Sequence, residues 1–143
     1  MPESEALTTL RATLEKYLVE SFGGFLKDQN NNYNLQAGSA RIMVIPLEWF
    51  AGQTLVKIMA LVNRAATQTA GLAQYLVEEN LKLIFGKFSY EPAGQMVFFE
   101  HTLLGDFLNR KELETAVQAI ASTADKYDDE IKTKFGGLKF GEF

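Results

Sequence analysis

Few residues in this chain have the type and spacing that chemistry requires. The single histidine, His101, sits in "FFEHTLLGDF", flanked by Glu100 and five residues before Asp106. An imidazole can act as base, proton shuttle or metal ligand. No second histidine and no cysteine is present to share a transition-metal site, which needs three or four such ligands. There is no Gly-x-Ser-x-Gly elbow to supply a nucleophile. His101 with Glu100 or Asp106 therefore defines the alternative reading, a small-molecule sensor or a hydrolase. A buried apolar pocket with convergent polar groups would favour it. Phe99 and Leu103 at i ± 2 point instead to a histidine held structurally on a strand.

Four further segments read as ordinary structure. "DKYDDE" places Asp125, Asp128, Asp129 and Glu130 toward the end of a helical pattern, where carboxylates oppose the helix dipole at about 0.3–1 kcal/mol each. Asp125 and Asp129 lie four apart on one face and repel. The expectation is a solvated face relieved by Lys126, Lys132 and Lys134, with no metal. In "DQNNNYNLQAGS", Asp28, Asn30 and Asn32 match positions 1, 3 and 5 of a calcium loop. The required glycine is Tyr33, however, and the bidentate glutamate is Ser39. It reads as a loop. "FGKF" and "FGGLKFG" lack the spacing of a phosphate cradle. No cofactor is expected.

The elements that position these residues follow from periodicity. Leu7, Leu10, Leu14, Tyr17 and Leu18 recur at helical spacing between Ser4, an N-cap, and the stop Gly23-Gly24. After a polar loop come a short strand over 33–37 and the strands "ARIMVIPLEWF" (40–50) and "TLVKIMALV" (54–62). Pro46 predicts an edge or a bulge. "TQTAGLAQYLVEENLK" reads as a short helix, and "LIFGKFSY" and "QMVFFEHTLL" as strands joined by the turn "EPAGQ". Leu113, Val117, Ile120, Ala124, Tyr127 and Ile131 mark a long helix from about Arg110 to Ile131, opened by Asn109 and Glu112. Gly136-Gly137 then fall beyond its end, as a turn that frees the tail.

The predicted class is α+β: helices on a mainly antiparallel sheet of five strands, in the order α-β-β-β-α-β-β-α. Both long strands are apolar on both parities, which predicts a sheet covered twice or one apolar face awaiting a partner. Ile42, Val44, Val56 and Ile58, with Trp49 and Phe50 at the strand end, are the candidate partner-binding residues.

A length of 143 residues predicts a single domain, 1–137, with a short Phe/Gly-rich tail, 138–143. At this size the core needs no crosslinks. The absence of cysteine fits a reducing cytoplasm, the expected location. The first residues lack the pattern of a secretory signal, and no apolar run nears the ~20 residues of a membrane span. A net charge of −4 with scattered basic residues argues against nucleic acid.

Four segments carry a family resemblance: "YNLQAGSARIMV", "EENLKLIFGKF", "HTLLGDFLNRKEL" and "ADKYDDEIKTKFGG". In that order they resemble the small YbjN-type domains of cyanobacteria and actinobacteria, grouped with type III secretion chaperones. The similarity runs over nearly the whole chain. It implies the element order above, a homodimer, and a surface that holds an extended segment of a client protein. It implies no catalytic residues. The matched positions are Asn80, Phe85, Gly86, Leu103, Leu104, Gly105, Asp106, Asp125, Asp128, Asp129, Gly136 and Gly137. The aromatic tail beyond Gly137 departs from the family pattern, and nothing in the chain implies a secretion apparatus. The sequence thus predicts a non-enzymatic peptide- or protein-binding module.

Overall fold

The computed structural model describes residues 2–67 and 69–142. Along the chain run α1 (Glu5–Phe22), β1 (Leu26–Lys27), β2 (Tyr33–Ala37), β3 (Ala40–Phe50), β4 (Gln53–Arg64), α2 (Leu72–Lys82), β5 (Lys87–Glu91), β6 (Met96–Leu104) and α3 (Arg110–Phe135). The strands form one antiparallel sheet in the order β1-β2-β3-β4-β6-β5. It has six strands where five were expected. The addition is β1, whose hairpin to β2 is closed by Asp28. One carboxylate oxygen of Asp28 accepts from the Asn30 and Asn32 amides at 2.8 and 3.0 Å, the other from Asn34 Nδ2 at 3.2 Å. The backbone donors, Asn32 foremost, lower the pKa of Asp28. The calcium-like spacing is the signature of this turn.

Helix α1 starts where Ser4 Oγ accepts from the Leu7 amide at 3.2 Å and stops at Gly23, with φ 79°. Its Leu10, Leu14 and Leu18 are buried against the sheet beside α3. Helix α2 starts at Leu72, later than the sequence pattern suggested, and Gln68 of that pattern lies outside the described residues. It covers β5 and joins α3 through Tyr127, whose hydroxyl donates to Glu79 at 2.9 Å, and through the Tyr75–Phe135 ring pair at 5.3 Å.

Two boundaries differ from expectation. Helix α3 runs one turn past Ile131, to Phe135, so Gly136 is its C-cap and donates to the Lys132 carbonyl at 2.8 Å. Phe135 continues the apolar stripe four residues after Ile131 and is buried, while Lys132 and Lys134 suit the dipole of the last turn. Strand β5 begins at Lys87, because residues 83–86 bend the chain out of α2. Pro46 lies on a local edge. β2 reaches β3 only as far as the Tyr33–Val44 pair, so the position of the missing N–H faces no strand, and a bulge follows at Glu48–Phe50.

All three helices lie on one face of the sheet. Ile42, Val44, Val56 and Ile58 point into that layer and are fully buried. Those four are core. The alternating pleat turns the next residues of each strand to the other face.

Candidate functional site

The helix-free face is built by cross-strand pairs. Met43 stands opposite Met59, Ile45 opposite Lys57, and Leu47 opposite Leu55. On the other side of β4, Leu61 stands opposite Phe98, Met59 opposite Glu100, and Leu55 opposite Leu104. Near the β4 end, Met43, Met59, Leu61, Met96 and Phe98 line a hollow of about 490 Å³, with Arg41, Asn34 and Asp28 at its rim. Glu100 bounds it. That side chain is nearly buried, accepts from Ser89 Oγ at 3.0 Å, and lies 3.5 and 3.7 Å from the ammonium groups of Lys57 and Lys87. Leu47, Leu55 and Leu104 form a second apolar strip at the other end.

The C-terminal segment returns to this face. Leu138 forms an antiparallel bridge with Arg64, each amide donating to the other's carbonyl at 2.8 Å. Phe140 closes the wall of the hollow. Two ion pairs hold the segment along α3: Lys139 to Asp129 at 2.6 Å, and Lys132 to Glu142 at 2.5 Å. The tail is therefore fastened to the domain rather than freed by the glycines, although Phe143 lies outside the described residues.

The sequence candidates fall in several places. Trp49 and Phe50 are exposed, their rings 4.4 Å apart, at the β3–β4 turn. His101 is half-buried with its ring 3.9 Å from Phe85, and burial lowers its pKa. Strand alternation turns its neighbour Glu100 to the opposite face. Asp106 accepts from the Thr54 amide at 3.1 Å and from Thr54 Oγ1 at 2.8 Å. Neither carboxylate orients the imidazole, which removes the acid–base pair the alternative reading needs.

The acidic knot disperses in the same way. Asp125 accepts from Ser39 Oγ at 2.5 Å, and Asp129 pairs with Lys139. Asp128 accepts from the Asp129 amide at 2.6 Å, and burial raises its pKa. Among the described residues no cluster of three or more His, Cys, Asp or Glu could hold a metal ion.

The remaining motif positions fasten the fold. Asn80 accepts from the Phe88 amide at 2.6 Å and donates to the Phe88 carbonyl at 3.2 Å, acting as a neighbour for edge strand β5. A Cβ on Gly86 would lie 2.7 Å from the Phe99 ring, and one on Gly105 would strike Thr54. One on Gly137 would lie 2.6 Å from Asn63 Oδ1. Leu103 is half-buried and Leu104 exposed. These positions do not converge on one site.

Sequence reasoning found the two-sided strands but chose the buried parity. A usable signal was side-chain shape. The buried positions of β3 and β4 are mostly β-branched or small (Ile42, Val44, Val56, Ile58, Ala60), while the open positions carry longer, flexible chains such as Met43, Leu55, Met59 and Leu61.

With this architecture in view, comparison with known proteins is decisive at one point. The family described as T3SS (YopN, CesT) and YbjN peptide-binding chaperone 1 matches residues 8–142. The chain belongs to that family. Its fold agrees with solved type III secretion chaperones despite low sequence identity. With a chain of the ExsC–ExsE complex it shares 12% identity at a TM-score of 0.67, covering 86% of this chain and 93% of that one. For the HopA1–SchA chaperone–effector complex the values are 6% and 0.67, with 90% and 99% covered. For the Yersinia pestis type III secretion chaperone SycH in complex with a fragment of YscM2 they are 9% and 0.59, with 82% and 98% covered. No curated protein matches the sequence. The six-stranded sheet with one helical layer is thus the chaperone fold, and no helix among the described residues is long and apolar enough to cross a membrane.

Proposed function

We propose that this protein is a non-enzymatic, chaperone-like module that binds an extended segment of a client protein on the helix-free face of its sheet, acting in the cytoplasm as a homodimer. The observation that carries the reading is the face itself. Met43, Met59, Leu61, Met96 and Phe98 form an apolar surface that none of the three helices covers. Contiguous apolar surface of this kind marks an interaction site. Family membership supports a peptide as the occupant, and of the structures that share the fold one is a chaperone–effector complex and another holds a fragment of YscM2.

A second exposed apolar stripe supports self-association. Val77, Leu81 and Ile84 lie on the outer side of α2 and the turn after it, at i, i+4 and i+7. Client and second copy can then use different surfaces. Trp49 and Phe50 at the sheet end extend the client surface in this reading. The motif residues serve the fold, and no cofactor or nucleic acid takes part.

The test is an array of overlapping 15-residue peptides from secreted and cytoplasmic proteins, probed with the wild-type chain and with Met59→Lys/Leu61→Lys. The double variant should keep its circular dichroism spectrum and lose binding to the peptides the wild type selects. Undiminished binding would remove the sheet face as the client site.

A further inference from the structure

The C-terminal segment Leu138-Lys139-Phe140 makes three contacts of three chemical kinds within three residues. Leu138 pairs its backbone with Arg64 at the end of β4, through two amide–carbonyl bonds of 2.8 Å. Lys139 reaches Asp129 on α3 at 2.6 Å. Phe140 completes the wall of the methionine-lined hollow on the open face. Backbone pairing combined with side-chain capture is how a peptide adds to a sheet, the bridge giving register and the pocket selectivity. Here the pairing is a single bridge, and the chain turns after it, the Glu142 amide donating to the Lys139 carbonyl at 3.0 Å.

The hollow is suited to variable guests. Three of the chain's four methionines, Met43, Met59 and Met96, line it. Thioether side chains are flexible and polarizable, and they repack around differently shaped apolar groups. The ion pairs that hold the tail, Lys139–Asp129 and Lys132–Glu142, are partly exposed. Such pairs add little stability and are screened by salt. The tail is fastened by weak contacts over an adaptable pocket.

Resting on the sheet face as the client surface, we infer that the tail is a built-in stand-in for the client. It covers the edge of the site in cis until it is displaced by a segment of the same pattern: an apolar residue bridged to Arg64, a basic residue on Asp129, and an aromatic residue in Phe140's place at the wall of the hollow. The pattern names the ligand class as an apolar–basic–aromatic tripeptide that turns directly after its bridged residue, within a longer chain. A site occupied in cis binds in trans with its affinity reduced by the open fraction. Removing the internal aromatic therefore raises affinity for outside segments.

The probe is a fluorescein-labelled peptide of the tail's own sequence, GLKFGEF, titrated by anisotropy against full-length chains. Phe140→Ala should bind it about ten-fold more tightly than the wild type. Adding Met59→Lys to Phe140→Ala should abolish the gain, as should replacing the lysine of the peptide by glutamate. Equal binding to wild type and Phe140→Ala would overturn the stand-in. If the array peptides still bound and were still lost in Met59→Lys/Leu61→Lys, the client face would survive that failure. Absence of binding by any peptide to any variant would overturn both.

Discussion

Asn80 shows how a side chain can replace a strand. Its amide group meets both the N–H and the C=O of Phe88, the groups a neighbouring strand would have used. Asn80→Ala leaves both without that partner, so urea unfolding should show a loss of about 1–3 kcal/mol. Asn80→Asp keeps the acceptor and loses the donor, and should fall between. His101 gives a pH signature. Burial against Phe85 lowers its pKa, so between that value and about 6.5 the unfolded chain binds the extra proton and the folded chain does not. Stability contributed by the neutral ring is full above the unfolded pKa and falls as pH drops through this window. Urea midpoints at pH 7.5 and 5.5 should therefore differ less in His101→Gln than in the wild type. At this scale much was readable: Ser4, Asn109 and Gly23 all cap as their types imply. The roles of Asn80 and Asp125 were not, because their partners, Phe88 and Ser39, are brought to them by tertiary packing.

Among the elements, α3 and the glycines behind it carry the most information. The stripe from Leu113 to Ile131 was legible, and its next member, Phe135, was the sign that the helix continued. Gly137 then turns the chain at φ 89° against Asn63 and Arg64. Gly23, also at positive φ, has open space around it. Both Gly→Ala changes strain the backbone by about 1–3 kcal/mol. Only Gly137→Ala adds a clash, so it should cost about 1 kcal/mol more than Gly23→Ala in denaturant titration. Equal losses would mean that Gly137 does not approach Asn63 and Arg64 closely. Strand parity was the element-scale feature the sequence left open. A strand apolar on both sides shows its faces only when the helices have chosen one of them.

For the whole molecule, class and family were readable because element order and short connections survive at 6–12% identity. Which surface meets a partner was not, because that depends on what the three helices leave bare. The outer stripe Val77, Leu81 and Ile84 predicts a dimer in sedimentation at micromolar concentration, converted to monomer by Val77→Glu/Leu81→Glu. A wild-type monomer at all concentrations would contradict it. The central claim, that the open sheet face takes the client, has a direct probe in the methionines. Of the four, Met43, Met59 and Met96 line the hollow. In protein labelled with ¹³C at the methionine methyls, titration of the tightest array peptide should shift all three of their signals together. A peptide that binds while those three methyl signals stay in place would contradict the account.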